Sequence, residues 1–249
     1  MNIMQIIRLG MITSLIITIL FITVAFSGDT VKAGDGNVFF REDFNDLDDW
    51  KPLYFPKIKE HSLYSIEKGE GAHLKAESNA SASGIIYKEE FNVYNYPKVK
   101  WRWKVDNVYE MGDARKKSGD DYPLRIYIMF KYDPEKASFG KKIKYGIAKK
   151  LYGEYPPDSS LNYIWANKKH KERVIANTYT SAAMMILLQS GGKNVDKWVE
   201  QEVDVLEDYR KAFGEDPPSV ASIAVMNDSD NTKESSVSYV DYIEVFKQR

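Results

Sequence analysis

Residues 221–246 read ASIAVMNDSDNTKESSVSYVDYIEVF. Ala221, Ile223 and Val225 alternate with Ser222, Ala224 and Met226, the two-residue period of a strand with one face buried. A polar loop follows, and a second apolar run closes the stretch. Val240, Tyr242 and Val245 do not keep one period, so a register slip is expected, with a bulge near Ile243. Asn227, Asp228, Asp230 and Asn231 put four oxygen-bearing side chains between the strands. Such a loop can cap its own amides, hold a hard cation such as calcium, or contact a ligand. It is not an EF-hand: Asp228 and Asp230 suit the first and third positions, but Lys233 stands where glycine is required and Tyr239 where the bidentate glutamate belongs.

Working outward, the same alternation recurs. Tyr96–Val105 places Val99, Trp101, Trp103 and Val105 on one face and Lys100, Arg102 and Lys104 on the other. In Leu124–Lys131, Ile126, Ile128 and Phe130 share a face opposite Arg125, Tyr127 and Met129. Short strands are also expected at Val38–Phe44, Tyr64–Glu67, Ala72–Glu77, Gly84–Tyr87, Leu161–Trp165, Ser181–Ser190 and Lys197–Val205, with frequent turns between them. The pattern predicts a mostly β protein, a two-sheet antiparallel β-sandwich of jelly-roll, concanavalin-like type. The first and last strands are expected side by side. Two segments break the period. Within 133–157, Phe139, Ile143, Ile147 and Leu151 recur every four residues among lysines, which predicts an inserted basic amphipathic helix. It is expected to pack across a sheet edge with its lysines in water, or to touch an anionic membrane through 139–151. Leu206–Phe213 is expected to be a short helix ended by Gly214.

The chain has 249 residues and a formal net charge of −1, so nothing in its overall charge steers it toward nucleic acid, and no nucleic-acid-binding motif is present. It has no cysteine, which excludes disulfides, thiolate metal sites and thiol catalysis. Residues 1–27, with Arg8 before the apolar run Leu9–Phe26, read as a signal peptide; a retained membrane anchor is the alternative. Residues 28–37 read as a linker and 38–249 as one domain, exported to a periplasmic or extracellular location.

Three polar groupings stand out. Asp120 and Asp121 lie just before Arg125 and Tyr127, where an arginine can hold two carboxylates ionised or receive a ligand carboxylate. Arg125 and Arg102 are the cations expected to offset Asp228 and Asp230. Adjacent terminal strands would bring Glu42 toward Asp241, a second candidate calcium site. The combined candidate ligand face is Arg102, Lys104, Asp120, Asp121, Arg125, Tyr127, Asp228, Asp230 and Asn231, with Asp228, Asp230, Glu42 and Asp241 as candidate metal ligands. Glu200, Glu202 and Asp204 share one strand face, as paired carboxylates of a glycosidase would, and as any solvent-facing strand does. The serines have no adjacent base, and the three histidines have no metal-binding spacing.

Trp101-Arg102-Trp103, Asp120-Asp121 with Arg125, Tyr163-Ile164-Trp165, Trp198 with Glu202, Asp208-Tyr209 with Phe213-Gly214, and Asp228-Ser229-Asp230-Asn231-Thr232 together resemble a bacterial family known as domain of unknown function 3047. The resemblance covers about Phe39–Phe246 and implies secretion and a single domain; it brings no catalytic residues. More loosely, the FREDFNDLDDW opening resembles carbohydrate-binding jelly-roll sandwiches, without the Glu-x-Asp-x-x-Glu strand of related glycoside hydrolases. The expected function is an exported, non-catalytic β-sandwich that binds a glycan or other polar ligand of the cell envelope. The alternatives are a polysaccharide hydrolase using a carboxylate pair, and a structural or partner-binding envelope protein.

Overall fold

The structure, a computed structural model, describes residues 36–249 apart from Pro56, Glu70, Gly153, Glu154 and Arg249. The expected signal peptide and most of the linker lie outside the described residues. Among the described residues fourteen strands, numbered in chain order, form two sheets. The first sheet runs β12 (Val199–Asp204), β7 (Lys98–Val105), β14 (Ser235–Phe246), β4 (Ala72–Asn79) and β3 (Leu63–Lys68), with β1 (Val38–Glu42) on the far end of β14. The second runs β10 (Val174–Ala176), β11 (Ala183–Ser190), β9 (Ser159–Ala166), β8 (Arg125–Phe130), β13 (Val220–Asp228), β5 (Ala82–Tyr87) and β2 (Trp50–Leu53), with β6 (Phe91–Asn92) also on β13. The fold is the expected two-sheet β-sandwich. The helices are α1 (Phe139–Tyr152) and α2 (Val205–Phe213).

The alternating pattern of each strand builds the core. Trp101 and Trp103 on β7 are fully buried and meet Tyr163 and Trp165 of β9 at ring-centre distances of 5.5 and 5.7 Å. Ile126, Ile128 and Phe130 of β8, Ile223 and Val225 of β13, and Val240, Ile243 and Val245 of β14 join the same cluster. Each large apolar side chain removed from water stabilises the fold by about 1.5–3 kcal/mol. Gly84 sits between β13 and β2, and a Cβ there would lie 2.8 Å from the Val225 carbonyl oxygen. The strands therefore approach only because the residue has no side chain.

β1 does lie against β14, with Val38 opposite Phe246. The slip in the last strand is a bulge between Val240 and Tyr242, which makes Asp241 the extra residue, two positions before the expected Ile243. One pair departs from the antiparallel expectation: β9 and β11 are parallel. The chain leaves β9, runs back as the outermost strand β10, and turns into the space between them, so β11 points the same way as β9.

α2 begins with Asp204 accepting a hydrogen bond from the Glu207 amide at 2.9 Å and ends at Gly214, with φ 75°. α1 differs from its expected packing. Phe139, Ile143 and Ile147 are exposed, while Tyr145 is buried and Lys141 half-buried against the sandwich. Tyr145 stacks on Tyr132 at 4.1 Å and donates to the carbonyls of Pro157 and Asp158, and Lys141 pairs with Asp158 at 2.6 Å. These contacts occupy the inward side of the helix and turn the apolar row outward.

Candidate functional site

The outward face of β8 carries Arg125 and Tyr127, and β13 beside it carries Met226 opposite Arg125 and Asp228 two residues on. Register therefore brings Asp228 to Arg125, and their side chains form a direct ion pair with both residues almost fully buried. The other Asp228 oxygen accepts from the Tyr122 amide at 3.2 Å. The guanidinium lies 4.8 Å from the Tyr122 ring centre and 5.4 Å from that of Tyr127. Burial, the largest single influence, pulls the Arg125 guanidinium down, but Asp228 together with Tyr127, Asp120 and Tyr122 outweighs it and the net shift is upward. Its Nε–H has no partner.

Asp120 accepts from the Tyr122 hydroxyl at 3.0 Å and from the Asn177 amide group at 2.8 Å. Asp121 accepts from the Asn231 side chain at 2.9 Å and from the Thr232 backbone N–H at 2.6 Å. Tyr179 donates to Asn231 at 3.0 Å. The segments around 120, 177 and 231 are thus tied together at one end of the sandwich. Burial raises Asp120 above its ordinary range, against the pull of Arg125. Burial, and then the charge of Asp121, raises Asp230.

Among the described residues, Asp121, Asp228 and Asp230 form a group whose carboxylate oxygens lie within 4.8 Å of one another. An all-oxygen donor set suits a hard cation. Arg125 and the amides of Tyr122 and Thr232 already engage Asp228 and Asp121, so calcium is not required to explain how these two are held.

The remaining expected residues lie elsewhere. Arg102 does not offset Asp228 or Asp230; it donates to Asp241 at 3.0 Å on the outward face of the other sheet. Lys104, on that face too, stands 4.1 Å from the Tyr239 ring centre. The candidate face is therefore divided between two sheets, because period gives the face of a strand but not its sheet. Glu42 is not paired with Asp241 either. Its carboxylate accepts from the Phe44 amide at 2.5 Å and from Trp50 Nε1 at 2.9 Å, holding the β1–β2 connection. Glu200 is engaged by Lys100 at 3.0 Å and by the Tyr242 hydroxyl.

The buried cluster lies apart from an open cleft. A cleft of about 650 Å³ opens where the β8–α1 connection, the lead-in to β13 and the turn after β6 meet. Tyr94, Tyr132 and Tyr209 form its aromatic wall, and Asp133, Lys136 and Asp216 stand among its charged residues. The Tyr132 hydroxyl is buried with no hydrogen-bond partner. Strand alternation does not mark this place. Its signals were tyrosines set in polar turns, NVYNYP and KYDPEK, together with GEDPP.

A two-sheet β-sandwich, a buried arginine–carboxylate cluster at one end and an open tyrosine-walled cleft define the class of this protein. The chain belongs to the family described as Protein of unknown function (DUF3047), whose profile matches residues 48–244. No curated protein matches the chain. Among solved structures it is similar to the carbohydrate recognition domain of Emp47p, at 10% identity and a TM-score of 0.43, over 86% of this chain and 99% of that one. The winged bean acidic lectin complexed with methyl-α-D-galactose is similar at 8% identity and a TM-score of 0.40, over 84% and 98%. The Trichoderma harzianum endoglucanase 3 from family GH12 is similar at 7% identity and a TM-score of 0.38, over 81% and 99%. Likeness of this degree identifies neither a ligand nor a binding residue.

Proposed function

We propose that this protein is an exported, non-catalytic β-sandwich that binds a glycan or similar polyhydroxylated ligand of the cell envelope in the cleft beside Tyr94 and Tyr132. The observation that carries the reading is the cleft itself: about 650 Å³, open, with three tyrosines in its wall and both signs of charge at its margin. A sugar offers C–H faces to stack on aromatic rings and hydroxyls that both donate and accept; Tyr94 presents an exposed ring, with Tyr132 and Tyr209 buried behind the cleft surface, and the charged margin offers polar partners. Tyr94 is 43% exposed, with its hydroxyl fixed on the Pro217 carbonyl at 2.8 Å, so its ring is already oriented. Export rests on the apolar leader expected over residues 1–27.

Binding fits better than hydrolysis. A glycosidase needs two carboxyl groups flanking the bond, one of them poised as an acid. In the cleft Asp158 is held by Lys141 and Asp216 by Arg210 at 2.7 Å. The raised carboxyls Glu42, Asp120, Asp208, Asp228 and Asp230 are not among the residues lining the cleft.

The test is a glycan array followed by calorimetry on residues 34–249, the compact unit that contains every described strand and helix. We expect binding to a polysaccharide class, weakened about tenfold or more by Tyr94→Ala, a loss of about 1.4 kcal/mol, with unchanged melting. Absence of any binding, or binding indifferent to Tyr94→Ala and Asp133→Ala, would sink the reading. Release of new reducing ends would replace it with the hydrolase.

A further inference from the structure

We infer that α1 is a membrane-docking surface, which lies on an anionic lipid bilayer with Phe139, Ile143 and Ile147 in the lipid interface. These residues are 79%, 50% and 57% exposed, three large apolar side chains in water on one helix. At about 100° per residue they span an arc of about 80° on the helix surface. Lys141 and Tyr145, which fasten the helix to the sandwich, point the opposite way. The apolar row is thus the outermost part of this region, and closing it onto the sandwich would break the Tyr132–Tyr145 stack and the Lys141–Asp158 pair.

Charge identifies the occupant. Between Phe139 and Tyr152 there are five lysines and no aspartate or glutamate. Lys141 is taken by Asp158; Lys142, Lys144, Lys149 and Lys150 are exposed. On the helical wheel Lys142 and Lys149 lie on one flank of the apolar row, Lys144 on the other, and Lys150 within it. Cations around an outward apolar ridge suit a bilayer, where the ridge enters the acyl boundary while lysine stems reach lipid phosphates. A nucleic acid would leave the ridge in water. A second copy of the helix would set like charges against each other. Among the described residues no helix is long and apolar enough to cross a membrane, so the contact is one of lying on the surface.

The experiment is flotation of residues 34–249 with vesicles of phosphatidylcholine alone and with vesicles containing phosphatidylglycerol. The protein should float with the anionic vesicles and far less with the neutral ones, and added salt should release it. Ile143→Ser with Ile147→Ser should lower anionic binding about tenfold or more with an unchanged circular dichroism spectrum. Lys142→Gln, Lys144→Gln and Lys150→Gln together should remove the preference for phosphatidylglycerol. No flotation of the unsubstituted protein, or undiminished flotation of the serine variant, overturns the inference. So does a concentration-dependent dimer in light scattering that the serine substitutions dissolve. Glycan binding is a separate measurement, and its failure would leave this result standing.

Discussion

Arg125 and Asp228 meet almost out of reach of water, and the Arg125 charge partly offsets the burial that pushes the Asp228 carboxyl up. Removing one member of such a pair leaves a polar group buried without its counterpart, which costs about 3–5 kcal/mol. Arg125→Met should cost that much in urea unfolding, and the added Asp228→Asn should restore part of it; a loss below about 1 kcal/mol would show that the pair contributes little. Asp230 gives the region a pH dependence. Its carboxyl is raised by burial and by Asp121, so the folded state holds the proton more tightly than the unfolded chain does. That contribution is complete below the ordinary carboxylate range and is lost as pH rises through the raised folded value. Asp230→Asn should therefore raise the melting temperature more at about pH 8 than at about pH 4; equal shifts at both would refute this. At this scale half of the pairing was legible. Asp120, Asp121 and Arg125 lie within six residues, and the acidic loop needed a cation. That Arg102 would find Asp241 was not legible, since a two-residue period does not say which sheet a strand joins.

Among the elements, strand identity was the most readable property, because buried faces write alternation into the chain. The β-bulge was visible as a broken period, although its place moved from Ile243 to Asp241. The parallel β9–β11 pair left no mark, since a continuous apolar run reads alike in either direction. The α1 row is helical, as its four-residue spacing predicts, and faces outward rather than onto the sheet edge. Periodicity gives the spacing of a stripe, and the direction it faces depends on contacts made far away, here by Tyr132 and Asp158. Gly84 tests how closely strands depend on one missing side chain. Gly84→Ala should cost about 1–3 kcal/mol in thermal or urea unfolding, because a Cβ 2.8 Å from the Val225 oxygen forces β5 and β13 apart. Unchanged stability would mean that the sheet yields freely at that point.

Over the whole molecule, connections distant in sequence meet. Tyr94, Asp133 and Asp216 share one cleft only because β6 and β8 end beside the start of β13. No local motif could announce such a site. The order of the first sheet has a further consequence. Its middle strand, β14, is the last described in the chain, and it pairs with β7, β4 and β1. Until residue 246 has been made, β7 and β4 lack the strand that joins them, and β1 has no partner in the sheet. The early two-thirds of the chain can form hairpins such as β3–β4, but the sandwich has nothing to close upon. Closure of the first sheet therefore waits for the strand that ends at Phe246, and the earlier strands of that sheet have only local partners until it arrives.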